Sequence, residues 1–474
     1  MTHPADPHNP DRPEEQPRRA VELDGSTGAP EMLRVFGLMD DGDMGGAANL
    51  LADLHPSDVA DLLEMADEDR REEMVALLRP VFDAEILTYL PLDLREEVVE
   101  RLEPKALAAA MAELDTDDAV DVIQDLEAEA QAEILANLPP ETRALVEEGL
   151  TYPEYSAGRL MGREFVSVPE FWTVGGLLDY LRAAATQDES DLPEEFYDIF
   201  IVDPMHRVVG SVPLSRVLRA RRGVKLNEIL HEDIHRIPVT MDQEEVARLF
   251  RNYGLVSAPV VDKGGRLLGA ITVDDVVDVI EEEAEADLLA LGGVGEDDLY
   301  RAVWDTARSR FRWLAVNVVT ALFAASVIDL FADTIAHIVA LAVLMPIVAS
   351  MGGNAGTQTL TVAVRALATK ELTPSNAARV ISKEVLVGLL NGLALATIVG
   401  TIAYIWFGNG LIGMVIGCAM VVNLFCAGLF GALIPFLLDR MKIDPAVASS
   451  VFLTTVTDVV GFLSFLGLAT LVLL

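Results

Sequence analysis

Cysteine is nearly absent from this chain. Its 474 residues include two, Cys418 and Cys426, both inside an apolar run, so neither a disulfide framework nor a zinc cluster organises the fold. Basic charge is also scarce: 35 Lys and Arg stand against 75 Asp and Glu, a net charge of -40. A surface of that sign repels nucleic acid and anionic lipid and attracts cations. The seven His are scattered, with His231 and His235 in one loop, and no His or Ser constellation recurs. An enzyme is therefore not expected. Residues 1–30 lack the apolar stretch of a signal peptide and are rich in Pro, Asp, Glu and Gly, which predicts a disordered tail.

The charge is unevenly spread. Residues 1–310 carry 28 basic and 68 acidic side chains, whereas residues 311–474 carry seven of each. A strongly acidic soluble half is joined to a neutral, apolar one.

Within residues 31–150 apolar side chains recur at three and four, as in Val59, Leu62, Leu63 and Val98, Val99, Leu102, which predicts an all-helical domain. Leu54, Asp58, Asp61, Leu62, Leu63 match Leu114, Asp118, Asp121, Val122, Ile123 at a spacing of 60, suggesting stacked helical hairpins in a small superhelix.

Residues 151–283 change to alternating strands and helices. Two units recur, with Asp203 and Asp262, and Gly210 and Gly269, each 59 apart. Tandem β-α-β-β-α units of this kind resemble a CBS-domain pair. CBS pairs commonly sense adenine nucleotides, so ATP is an admissible partner. The second unit has the motif Gly269-Ala-Ile-Thr272-Val-Asp-Asp275, but the first has Gly210-Ser-Val-Pro213-Leu-Ser-Arg216 and lacks both the hydroxyl and the carboxylate.

Next come Asp274, Asp275, Asp278, Glu281, Glu282, Glu283, Glu285 and Asp287 on one predicted helix, with no Lys or Arg among them. Like charges at i,i+4 destabilise a helix by a few tenths of a kcal/mol per pair. The stretch is either a solvated acidic face or a divalent-cation site, since hard cations take carboxylate oxygens. The helix is predicted to run on through Leu288 to Trp304, with residues 284–310 connecting to the membrane.

Residues 311–474 predict five spans, at 311–329, 335–366, 385–406, 411–438 and 446–474. The second is expected to be interrupted by Gly352, Gly353, Asn354, Ala355, Gly356, Thr357 and Gln358. Lys and Arg flank alternate ends: Arg301, Arg308, Arg310 and Arg312 precede the first span, Arg365, Lys370, Arg379 and Lys383 follow the second, and Arg440 and Lys442 follow the fourth. The positive-inside rule then places the N-terminus in the cytoplasm and the C-terminus outside an inner or plasma membrane.

Asp458 lies inside the last span, behind Thr454, Thr455 and Thr457. A carboxylate at mid-bilayer costs about 2.5–3.5 kcal/mol on insertion scales. It is either a protonated structural residue or a cation site in a pore. Gly353, Thr357 and Thr361 fall four apart on one helical face, as do Thr454 and Asp458. With Asn354 and the Gly353 carbonyl, these faces offer oxygens to a hydrated Mg²⁺, which sheds water reluctantly. The glycines alone also fit close helix packing. Asn317, Asn391 and Asn423 are expected to form interhelical hydrogen bonds.

The order of these parts resembles the MgtE-type magnesium channels, as do Pro346-Ile-Val-Ala-Ser-Met-Gly-Gly-Asn-Ala-Gly-Thr-Gln358 and Thr457-Asp-Val-Val-Gly-Phe-Leu-Ser-Phe-Leu-Gly467. The resemblance implies a homodimer with a pore between protomers, lined by the second and fifth spans, with Asp458 holding hydrated Mg²⁺. It also implies closure by cytosolic Mg²⁺ bridging Asp117 and Asp121 of the N-terminal domain, and Asp275, Asp278, Glu283 and Asp287 of the CBS edge and connecting helix. Gly254 and Ala286 stand where the family leads one to expect acids, so fewer cytosolic sites are expected. A cation-coupled secondary transporter of Mg²⁺ or Co²⁺ is the alternative.

Overall fold

The computed structural model describes residues 29–184, 192, 193, 195–294 and 303–474. The expected disordered tail, apart from its last two residues, lies outside the described residues, as do positions 295–302 of the expected connecting helix, Arg301 among them.

Nine short helices fill Ala29–Gly149, none longer than 12 residues. Helices of that length are marginal alone, and their stability comes from packing. The 60-residue repeat is real at the level of helices: Pro56–Met65 and Glu68–Leu78 recur as Thr116–Gln124 and Ala128–Asn137. The repeated Leu62, Leu63, Val122 and Ile123 are fully buried in the core of this domain.

The CBS pair holds two three-stranded sheets. One orders β1 (Ser167–Pro169), β2 (Asp198–Val202) and β3 (Val208–Pro213); the other orders β4 (Ile237–Pro238), β5 (Ser257–Val261) and β6 (Leu267–Thr272). In each, the first pair is parallel and the second antiparallel. The parallel pairs need a crossover, supplied by helices Val174–Ala184 and Gln243–Tyr253. Both sheets slip register at the same point, between Ile201 and Val202 and between Val260 and Val261. The two units meet where the Val208 amide donates to Gly265 O and the Leu267 amide donates to His206 O. Gly254, where an acid was expected, is the left-handed C-cap of Gln243–Tyr253, with φ +62°. That conformation favours glycine.

The acidic helix runs Val273–Gly292 and stops there, capped by Gly293 at φ +70°. The expected continuation to Trp304 is therefore corrected: the Gly292-Gly293 pair ends the helix, and the next described helix starts at Val303. All eight acids lie on the shorter helix.

Among the described residues, five helices are long and apolar enough to cross a membrane. They are Val303–Asp329, Ala340–Ala368, Ala377–Phe407, Gly410–Arg440 and Pro445–Leu473. The fourth is central and packs on the second, third and fifth. Glycines let the third and fourth approach closely: a Cβ at Gly388 would lie 2.4 Å from Leu424 O, and one at Gly428 2.5 Å from Glu384 O.

The second span differs from expectation twice. Its first residues form a separate short helix, Ala332–His337. From Ala340 to Ala368 the helix is continuous, straight through the glycine insert. Away from water, the backbone has no better hydrogen-bond partner than its own helix, so Gly and Asn do not break it.

Candidate cation sites

The second membrane helix presents two unlike faces. Gly352, Gly356 and Thr359 are buried. Gly356 packs against Leu453 of the fifth membrane helix, and Gly352 against Asn423 of the fourth. On the other face Asn354, Thr357, Gln358 and Thr361 are exposed, and a Cβ at Gly353 would meet nothing within 4 Å. The glycine insert thus packs closely on one side and leaves polar groups uncovered on the other.

The fifth helix passes the second in the opposite direction, with Leu453 beside Gly356 and Gly461 beside Val348. Asp458 lies between these contacts, hence at the depth of residues 348–356, and is half-buried. Thr454 is exposed and its hydroxyl donates to Ser450 O at 2.8 Å. Thr361 likewise donates to Thr357 O at 3.0 Å. Both hydroxyl oxygens keep lone pairs for a water or a cation's hydration shell. Asn423 is interhelical as expected, with Nδ2 donating to Val348 O at 2.8 Å. Asn317 and Asn391 are instead exposed on their helices.

The six acids of the soluble half fall into two groups. In the first, Asp117 lies at the start of helix Thr116–Gln124. Burial pushes its carboxyl well above the usual range, reinforced by Asp275, Asp118, Glu164 and Asp115. Its Oδ1 is buried with no hydrogen-bond partner among the described residues. Asp275 starts the acidic helix and accepts from both the Thr272 amide (3.0 Å) and hydroxyl (2.8 Å) in a capping box. Burial still pushes it up to about 6. Burial also raises Asp278, with Asp274, Glu281 and Asp121 adding to it. Asp121 differs from the rest: its carboxylate accepts from Arg95 at 3.1 Å, so a cation is already present.

The second group lies nearer the membrane helices. Glu283 accepts from Gln243 Nε2 at 3.0 Å. Burial raises the carboxyl of Asp287, and Asp444 and Glu283 add to it. Glu244 is raised by burial and opposed by Lys370. Beyond this group the helix touches the membrane domain directly. Ala290 and Leu291 pack against Leu360 and Val364 of the second membrane helix and Ala446 and Leu453 of the fifth. Among the described residues, no three His, Cys, Asp or Glu side chains stand together as a ready metal site.

Several residues here escaped the sequence. Asp118 is pushed up to about 7 by burial and by Asp275; its signal was the paired Asp117-Asp118. Glu164, Glu244 and Asp444 have no local signal and reach these groups through the fold. Glu384 lies within the third membrane helix, 8% exposed, although the span was expected to begin after it.

Residues 345–468 match the divalent cation transporter family MgtE, residues 54–155 the MgtE intracellular N domain, and residues 226–282 the CBS domain. The magnesium transporter MgtE of Thermus thermophilus is 39% identical over 342 residues, 71% of this chain and 74% of that protein. That of Enterococcus faecalis is 35% identical over 326 residues, 69% of this chain and 71% of that protein. A crystal structure of the soluble part of a magnesium transporter covers 54% of this chain and 99% of its own, with 28% identity and a TM-score of 0.47. A crystal structure of the cytosolic domain of the Mg²⁺ channel MgtE in complex with ATP covers 52% and 99%, with 34% identity and a TM-score of 0.48. With its own membrane helices, paired CBS units and helical N-terminal domain in the same order, the chain belongs to the MgtE family of magnesium transporters.

Proposed function

We propose that this chain is a Mg²⁺ channel, a homodimer with its N-terminus in the cytoplasm, which passes Mg²⁺ down its gradient and is closed by cytosolic Mg²⁺. One observation carries the reading. Asn354, Thr357 and Thr361 lie uncovered at membrane depth on the helix beside Asp458. Polar groups at that depth persist where they face a partner or water, and a second protomer enclosing a hydrated path provides both. The pathway takes Asp458 as the charged group, with Thr454, Asn354, Thr357, Thr361 and Gly353 around it.

Hydrated Mg²⁺ keeps strict octahedral geometry. One carboxylate per protomer attracts it, and hydroxyls and amides hydrogen-bond its waters without stripping them. The dehydration cost then stays outside the conduction step.

Closure follows from charge. Asp117 and Asp118 stand against Asp275, and Asp278 against Asp121; Glu283 and Asp287 stand against Glu244, and Asp444 against Asp287. Mg²⁺ entering these groups neutralises and bridges them. The acidic helix, seated on the second and fifth membrane helices through Ala290 and Leu291, is then held against the pore. A ligand shifts such an equilibrium only by its differential affinity for the two states. Sites completed only in the closed state supply that difference.

The test is Mg²⁺ flux into proteoliposomes for wild type and Asp458→Ala, at low and high Mg²⁺ on the cytoplasmic face. Loss of flux in the variant and suppression of wild-type flux by cytoplasmic Mg²⁺ are expected. Normal flux in Asp458→Ala sinks the pore assignment. Unitary currents in single-channel recording separate a channel from a cation-coupled transporter.

A further inference from the structure

Asn423 sits where the second, fourth and fifth membrane helices meet. It is 0% exposed. Its Nδ2 donates to Val348 O at 2.8 Å, while its Oδ1 is buried with no hydrogen-bond partner among the described residues. Two glycines make room for the amide. A Cβ at Gly352 would lie 2.2 Å from Nδ2, and one at Gly461 would lie 2.8 Å from it. Neither distance is possible without a shift, so the amide is wedged between the second and fifth helices.

Stability alone does not favour an amide here. Val348 lies in a continuous helix, so its carbonyl already has an acceptor role within the ladder. A buried unpaired oxygen is destabilising, whereas an apolar side chain of like size carries no such cost. What the amide contributes is geometry. Gly352 adjoins Gly353, and Gly461 follows Asp458 by three residues, less than one helical turn. A wedge that touches both glycines fixes the depth and rotation of one helix against the other, and so the spacing of the groups they carry.

We propose that Asn423 is a positioning residue that sets the register between the second and fifth membrane helices, and through it the discrimination among divalent cations. This rests on the pathway proposed above. Mg²⁺ needs near-ideal octahedral surroundings, whereas Ca²⁺ accepts irregular ones. A loosened register therefore admits Ca²⁺ relative to Mg²⁺.

The experiment measures Mg²⁺ and Ca²⁺ flux into proteoliposomes for the full chain, Asn423→Leu, Asn423→Ala and Asp458→Asn, together with each thermal midpoint. The flux ratio does not depend on how many molecules are active, so a merely structural defect leaves it unmoved. Asn423→Leu removes the orphaned oxygen and is expected to melt no lower than wild type. Its Ca²⁺:Mg²⁺ ratio is expected to rise by about threefold or more. Asn423→Ala should shift the ratio the same way. Ratios within about twofold of wild type in both Asn423 variants, with Asp458→Asn altered, overturn this inference alone. An unaltered Asp458→Asn overturns the pathway and this inference with it. Failure of both Asn423 variants to yield folded protein makes the residue structural and also overturns it.

Discussion

The Thr116 hydroxyl donates to Glu164 Oε1 at 2.6 Å, and the Thr116 amide donates to Glu164 Oε2 at 3.2 Å. Glu164 belongs to the stretch leading into β1, so the CBS side caps a helix of the N-terminal domain, next to Asp117. Removing a side-chain cap costs about 1 kcal/mol. Glu164→Ala should weaken docking of the two domains by that order, while the N-terminal domain keeps its own core. Limited proteolysis between residues 150 and 165 should then be several-fold faster. An unchanged cleavage rate counts against the contact as a latch.

Docking should also depend on pH. Asp118 is pushed up to about 7, first by burial, then by Asp275, Asp115, Asp121 and Glu85. A raised carboxyl means that the docked state holds a proton which the separated state releases. Docking is therefore strongest below the ordinary carboxylate range, near about 4, and weakens as pH rises towards 7. Without divalent cations, interdomain distance by paired spectroscopic labels should increase between pH 5 and pH 8. Asp118→Asn should flatten that response, and a slope unchanged in this variant would falsify the assignment.

Asp117 and Asp121 lie four apart on one helix but should behave differently. Asp121 already faces Arg95, which also donates to Asp125 at 2.9 Å. Asp117 has an unpaired buried oxygen and a carboxylate neighbour. Neutralising Asp117 should weaken inhibition by cytosolic Mg²⁺ several-fold, and Asp121→Asn by less. Titration of flux against cytoplasmic Mg²⁺ checks the order. The reverse order means that Arg95 is displaced when Mg²⁺ binds.

On the proposed gating, neutralising Asp275, Asp278 and Glu283 together should leave the pathway open at high cytosolic Mg²⁺. Asparagine at 275 keeps an acceptor for the Thr272 amide, so the capping box is preserved. The helix Val273–Gly292 should become more stable, because like charges are removed from successive turns. Circular dichroism tests the helix and flux tests the gate. Intact Mg²⁺ inhibition in this variant rules these acids out as the sensor.

The repeats were readable because spacing survives where identity does not. The 59-residue interval between Asp203 and Asp262 marks equivalent turns, in which each carboxylate accepts backbone amides two and four residues on. The five spans were readable from apolar length alone. The continuous helix through Gly352–Gln358 was not, because Gly and Asn signal breaks in water but not in a bilayer. The early end of the acidic helix did have a local signal, the Gly292-Gly293 pair. Glu164, Glu244 and Asp444 had none, since they join the acidic groups only through tertiary contacts. Glu384 was hidden by its charge, which suggested a helix flank, and by the absence of any local sign of its buried contact with Thr359.

On the proposed pathway, Gly353 and Gly356 separate conduction from packing on a single helix. A Cβ at Gly356 would lie 3.1 Å from three atoms of the Leu453 side chain, whereas one at Gly353 meets open space. Gly356→Leu overfills a packed contact and should destabilise the protein by about 1–3 kcal/mol. Gly353→Ala should fold at least as well as wild type, since alanine improves helix propensity by up to about 1 kcal/mol. On the proposed pathway, however, Gly353→Ala adds a methyl group to the wall that hydrated Mg²⁺ passes, so flux per folded molecule should fall. Thermal midpoints and flux measured on the same preparations distinguish the two effects. Full flux in Gly353→Ala would move the conduit to another face of this helix.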